Sequence, residues 1–112
     1  MSYGEVVLTT LHQLPGYRVV DVLGLVWGSS VRTRGALGRL VASFESIAGG
    51  RGESYLKELN KAREEAVREL AEKARSIGAN AVLGIDFETT EILEGFIVVT
   101  AVGTAVRVVK ED

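Results

Sequence analysis

The clearest pattern of hydrophobic and polar positions lies between residues 52 and 78, where apolar residues recur every three or four positions. This spacing places them on one stripe of an α-helix. The other side carries Lys, Arg and Glu, with Glu69 and Lys73 at the i, i+4 spacing of a helical ion pair. Gly78 follows the last apolar position and predicts the helix end. The stripe consists of Leu56, Leu59, Ala62, Ala66, Leu70, Ala74 and Ile77.

Alternating or continuous apolar runs predict four strands, over residues 5–10, 17–27, 80–90 and 96–109. The second and fourth runs are apolar on both faces, which predicts that these strands are covered on both sides. Gly24 and Gly28 interrupt the second run and predict a bulge or a close backbone approach. Glu94 and Gly95 predict a tight hairpin turn between the last two strands.

A second, shorter helix is predicted over residues 34–47, where apolar positions again follow a 3-4 spacing. The glycine-rich segment 49–52 then breaks it before the long helix begins. The order β-β-α-α-β-β predicts an α+β two-layer sandwich, in which one long and one shorter helix pack on an antiparallel β-sheet. No repeat or linker divides the 112 residues, so we expect a single domain over 1–112.

The composition indicates more apolar surface than one small subunit can bury. Hydrophobic residues make up 46% of the chain beside 13 glycines, and the mean hydropathy is +0.19. An oligomer interface is the ordinary destination for such an excess. We therefore interpret Trp27, Tyr55 and Phe44 as core or interface anchors.

Charge and cysteine content narrow the possible partners. The net charge of -2 provides no basic field for nucleic acid. The apolar runs are too short for a membrane span of about 20 residues. The chain has no cysteine, which fits a reducing compartment, and no signal peptide is visible. We expect a cytoplasmic protein that binds neither nucleic acid nor membrane.

Several segments, in their order along the chain, resemble those of a known family. They read VLTT at 7–10, GYRVV at 16–20, FESI at 44–47, GGR at 49–51, YLKELNKAR at 55–63, GANAVLGI at 78–85 and GTAV at 103–106. Together, over nearly the whole chain, they resemble the YbjQ-like family, often labelled as heavy-metal-binding domains. The resemblance implies a dodecin-like α+β subunit that closes into a ring, typically a homopentamer.

The chain has few of the residues that usually bind heavy metals, since it has no cysteine and one histidine. His12 alone cannot form a site within one subunit, although copies of it could meet on a ring axis. Asp86 and Glu88 are two positions apart on a predicted strand, roughly 7 Å between Cα atoms on one face. Their carboxylates suit calcium or manganese. The alternative for this pair is a water-facing sheet edge that resists unwanted pairing.

A basic segment suggests an anion site instead. Its candidate residues are Arg32, Arg34, Arg39, Gly50, Arg51 and Gly52. The first three lie in a stretch without acidic residues, and the last three form a glycine-rich turn where the long helix begins. Free N–H groups and the helix dipole attract phosphate at such a turn. Alternatively, the glycines only separate two helices, and the arginines pair with glutamates of a neighbouring subunit.

Catalysis has little support, because no histidine is placed to activate any of the serines. We therefore predict a homo-oligomeric, pentameric binding or scaffold protein, not an enzyme, with small-anion or metal-ion sites at its subunit interfaces. The alternative is a purely structural oligomer that docks a protein partner. An enzyme of unknown reaction ranks third.

Overall fold

The computed structural model describes residues 2–3, 6–33, 53–92 and 96–112. These residues form strands and one helix in the order β1 (Ser2–Tyr3), β2 (Val6–Leu8), β3 (Tyr17–Thr33), α1 (Glu53–Ser76), β4 (Ala81–Ile92) and β5 (Phe96–Lys110). The helix packs on one face of the sheet, so the predicted α+β class is confirmed. The predicted helix over 34–47 and the turn at 94–95 lie outside the described residues.

The five strands form one sheet in the order β1-β2-β4-β5-β3. β5 lies in the middle and pairs antiparallel with both β3 and β4. One pair corrects the prediction of an antiparallel sheet, because β2 and β4 run parallel and the sheet is mixed. A tight hairpin forces neighbouring strands to be antiparallel, but β3 and α1 separate β2 from β4 in the chain. The long connection between β2 and β4 allows these strands to pair either parallel or antiparallel.

The middle of the predicted apolar stripe carries the contact between α1 and the sheet. Ala62, Ala66, Leu70 and Ala74 are all fully buried. The ends of the stripe, Leu56 and Ile77, are about half exposed.

The helix ends as the sequence predicts. Gly78 has a φ of 91°, its N–H donates to the Arg75 carbonyl at 3.0 Å, and the Ala79 N–H donates to the Ala74 carbonyl at 3.0 Å. This pair of bonds is the Schellman arrangement, which satisfies the last free carbonyls of a helix. The chain is thereby turned directly into β4.

Two glycines of β3 have the roles that the sequence assigned to them. A Cβ at Gly28 would overlap the Ala66 carbonyl oxygen and the Leu70 amide nitrogen, so α1 lies directly on the strand backbone there. Gly24 has a φ of 119° and follows a register shift between Val22 and Gly24. The close approach and the bulge are both confirmed.

Among the residues that the structure describes, the opposite face of the sheet is covered at one end only. Ala81, Leu83, Val106 and Val108 form a second buried cluster there. Leu14, from the connection between β2 and β3, packs against this cluster. Within the described residues this connection is the cover of that face, and the rest of the face is open.

Candidate functional site

The open face is most apolar along β3. Successive side chains of a strand point to opposite faces, and Val26 and Gly28 face α1. Leu25, Trp27 and Val31 therefore face away from the helix. Val22 joins them, since it pairs with Val106 of the second cluster. The exposed fractions are 70% for Val22, 69% for Leu25, 53% for Trp27 and 54% for Val31. These four residues form what we call the β3 outer surface.

The pairing register extends this face across β5 to β4. Trp27 lies opposite Val102, which lies opposite Asp86. In the next row on this face, Thr100 lies opposite both Ser29 and Glu88, and the hydroxyl oxygens of Ser29 and Thr100 are 3.0 Å apart. The open face thus changes from apolar on β3 to acidic on β4.

His12 lies on the same face. A Cβ at Gly84 would come within 3.3 Å of His12 Nδ1, and the Gly84 N–H donates to the Leu11 carbonyl at 2.8 Å. His12, Val22, Leu83 and Thr104 are among the residues that line a cavity of about 400 Å³. The imidazole is therefore placed beside the β3 outer surface.

The three candidate metal ligands share this face, but the described residues of one copy do not complete a site around them. Among the described residues, no three His, Cys, Asp or Glu side chains converge well enough to hold a metal ion. Asp86 Oδ1 also accepts a hydrogen bond of 2.9 Å from the Phe87 N–H. His12, Asp86 and Glu88 would need further donors from beyond the described residues of one copy.

Arg32, on the helix side of β3, is already paired with carboxylates. Its Nε lies 2.9 Å from Glu58 Oε1 and its Nη2 lies 2.9 Å from Glu65 Oε1. Ser30 Oγ donates to the other oxygen of Glu65 at 2.8 Å. The hydrogen bond to Glu65 raises the pKa of Arg32. The hydrogen bonds from Arg32 and Ser30 lower the pKa of Glu65.

This pairing weighs against Arg32 as an anion ligand, because two carboxylates neutralise a side chain that is only 16% exposed. The other five candidates for that site, Arg34, Arg39, Gly50, Arg51 and Gly52, lie outside the described residues. Sequence reasoning missed Glu58 and Glu65 as partners of Arg32. The signal was weak, since both lie on the polar flank of the helix among several other acidic residues.

Of the three predicted anchors, Trp27 is the one whose side chain the structure describes. Trp27 is half exposed, and Lys73 Nζ lies 5.5 Å from the centroid of its ring. Glu69 holds that ammonium group at 3.1 Å. The side chains of Tyr55 and Phe44 lie outside the description. Trp27 is therefore not part of the core that the described residues form.

Comparison with known proteins shows the family. The YbjQ_1 family model, described as "Putative heavy-metal-binding", matches residues 6–109. The chain belongs to the YbjQ family. A UPF0145 protein of Sulfurisphaera tokodaii is 40% identical over 112 residues, covering 98% of each chain. A UPF0145 protein of Thermus thermophilus is 40% identical over 107 residues, covering 96% of this chain and 94% of its own.

A solved structure shares the fold of this YbjQ family member. It is a protein of unknown function from Pediococcus pentosaceus, of the DUF74 family, with a TM-score of 0.62 and 17% identity. The match covers 93% of this chain and 98% of that one. None of the names of these three relatives states an enzymatic activity. Within the described residues, no helix has the length and apolar character that crossing a bilayer requires.

Proposed function

We propose that this protein is a self-assembling binding protein whose copies pack through the β3 outer surface, in the ring of five that the family resemblance implies. The single observation that supports it is the exposure of Val22, Leu25, Trp27 and Val31 on one face of one strand. Full burial of such a side chain contributes about 1.5–3 kcal/mol. Exposed apolar side chains grouped on one strand face in this way are typical of an interaction surface.

We assign the ligand of this assembly to a metal ion bound where two copies meet. Three observations support the assignment. The family description names heavy metals, His12, Asp86 and Glu88 share the open face, and one copy brings no three donors together among its described residues. A second copy would complete the coordination. Imidazole and carboxylate donors suit Zn²⁺ and Mn²⁺ without any thiolate.

The assembly is tested by placing charge on the surface. We expect the double variant Leu25→Glu/Val31→Glu to be monomeric while wild type is oligomeric, because buried unpaired carboxylates are costly. Light scattering gives the molar mass, and circular dichroism checks that the variant is folded. Leu56→Glu is the matched control, since Leu56 is 52% exposed on the helix and should leave the mass unchanged. A folded double variant with the wild-type mass would refute the proposed surface.

The metal site is tested by calorimetric titration with Zn²⁺ and Mn²⁺. We expect binding to the wild-type oligomer, a marked loss in His12→Ala and Asp86→Ala, and no binding to the monomeric Leu25→Glu/Val31→Glu variant. Glu72→Gln on the helix serves as the control for removing one exposed carboxylate. The interfacial metal site is refuted if neither ion gives binding heat with the wild-type protein, or if the monomeric variant binds metal as fully as wild type. Either result leaves the assembly proposal intact.

A further inference from the structure

A groove lies on the helix side of the sheet, between α1 and the strands β2 and β4. It has a volume of about 310 Å³, and its lining is almost wholly apolar. Leu8 and Ile85 belong to the core cluster beneath α1, and the half-buried Val67 packs against that cluster. Phe87 adds an aromatic ring that is 39% exposed. Within the part of the chain that the structure describes, this apolar space is unfilled.

The groove and the β3 outer surface lie on opposite sides of the sheet. The groove is on the helix side of β2 and β4, whereas the β3 outer surface faces away from α1. In the strand order β1-β2-β4-β5-β3, strand β5 also separates them. One copy therefore cannot place its own Trp27 in its own groove, and two different neighbours can contact the two surfaces at the same time.

The symmetry of the proposed ring requires two different contact surfaces on each copy. An isologous contact, in which the β3 outer surface meets its own equivalent, joins copies in pairs. A ring of five is closed by heterologous contacts, in which one surface of each copy meets a different surface of the next copy. The β3 outer surface therefore needs a counterpart elsewhere on the chain. An apolar groove on the opposite side of the sheet has the chemistry and the position of that counterpart.

Trp27 is the side chain of the β3 outer surface that suits the groove best. It is the largest of the four, and it is 53% exposed. An indole ring is rigid and mainly apolar, and such rings commonly fill pockets at the centres of interfaces. The groove volume, at the lower end of the range for small-molecule pockets, has room for one such ring. Phe87 supplies an aromatic partner for it.

We infer that the groove of each copy receives Trp27 of the next copy in the ring. This inference rests on the proposed assembly through the β3 outer surface and identifies the surface that it contacts. The site is shared between two molecules, because one copy supplies the apolar walls and the other supplies the indole ring. The contact is heterologous, so it repeats around the ring and leaves neither surface exposed.

The groove is tested by placing a charge of either sign on its exposed wall, in Phe87→Glu and Phe87→Lys. We expect both variants to be monomeric by light scattering and folded by circular dichroism. Ile77→Glu is the matched control, since Ile77 is 48% exposed and lies outside the groove, and it should keep the wild-type mass. Folded Phe87 variants with the wild-type mass would overturn this inference. The β3 outer surface would then still stand if Leu25→Glu/Val31→Glu is monomeric.

A mixing experiment distinguishes a heterologous contact from an isologous one. Leu25→Glu/Val31→Glu keeps an intact groove, and Phe87→Glu keeps an intact β3 outer surface. Each should be monomeric alone, and an equimolar mixture at high concentration should give a species of twice 12.0 kDa that grows no further, because one compatible pair of surfaces remains. A mixture that stays monomeric, or a Phe87→Glu protein that dimerises alone, would overturn the inference.

The fluorescence of Trp27 tests the same contact without a substitution, because the chain has one tryptophan. The wild-type oligomer should emit at a shorter wavelength than monomeric Phe87→Glu, and the mixture of variants should regain part of this shift. Wild-type emission equal to that of the monomeric variant would overturn the insertion of Trp27 and leave the assembly itself intact. A wild-type protein that is monomeric at every concentration would overturn both proposals.

Discussion

Gly28 shows how a single residue fixes the distance between the two layers. Any Cβ at this position meets backbone atoms of α1, the Ala66 carbonyl oxygen and the Leu70 nitrogen, which cannot rotate away. We expect Gly28→Ala to lower the free energy of unfolding by about 1–3 kcal/mol or more, as overpacked cores do. Urea denaturation followed by circular dichroism measures the loss.

Gly16→Ala is the control for this substitution. A Cβ at Gly16 meets no atom within 4 Å, although its φ of 82° is unfavourable for alanine. Its cost should therefore be backbone strain alone, about 1 kcal/mol. A Gly28 variant as stable as wild type would show that the layers are not in contact there.

The pair formed by Arg32 and Glu65 predicts a pH dependence of stability. Hydrogen bonds from Arg32 and Ser30 lower the pKa of Glu65 below its ordinary value of 4.5. The folded state therefore gains stability above pH 4.5 and loses it as the pH falls through the lowered pKa. Glu65 is 47% exposed, so solvent screening limits the contribution to no more than about 1 kcal/mol.

We expect Glu65→Gln to be slightly less stable than wild type at neutral pH, with a difference that shrinks in acid. Thermal unfolding of both proteins across this pH range measures it. Glu72→Gln should show no such convergence, because Glu72 is exposed and has no resolved partner among the described residues. A constant difference between Glu65→Gln and wild type down to low pH would contradict the pairing.

The role of a single residue was predictable where the backbone conformation restricts the residue type. It was not predictable where the role depends on partners that are distant in the sequence. Gly28 and Gly78 stand out in the sequence because a side chain is costly at a close approach or at a helix end. Arg32 gave no such signal. Its carboxylate partners depend on how α1 is placed over β3, and spacing along one element does not determine that placement.

At the scale of elements, α1 is stabilised mainly by the buried middle of its stripe. Leu70 is the largest fully buried side chain among the described residues. We expect Leu70→Ala to cost about 2–5 kcal/mol, the lost transfer energy plus the cavity left behind. Leu56→Ala, at the exposed end of the same stripe, should stay within about 0.5 kcal/mol of wild type. Similar costs for both, by chemical denaturation, would contradict the described position of the helix.

The 3-4 periodicity predicted α1 almost to its ends, because that pattern repeats over many turns. The bounds and directions of the strands were predicted less accurately. β3 continues beyond residue 27 to Thr33, since β5 offers backbone partners as far as Phe96, while Gly28 and the two serines after it read locally as a break. The parallel pairing of β2 with β4 was also missed, because the relative direction of two strands depends on how the long segment between them is folded.

At the scale of the whole molecule, composition predicted surplus apolar surface, and the open face of β3 carries part of the apolar surface that is exposed among the described residues. Among the described residues, α1 covers one side of β3, and the predicted cover of its other side is not among them. The sequence could not predict where His12 lies relative to Asp86 and Glu88, because a register shift between Leu83 and Asp86 and the contact of His12 with Gly84 bring them to one face.

The most direct test of this account is the molar mass of the purified wild-type protein, measured by native mass spectrometry and by light scattering over a dilution series. Packing through the β3 outer surface predicts a discrete multiple of 12.0 kDa, with five copies expected. A stable, folded species of 12.0 kDa at every concentration would contradict it.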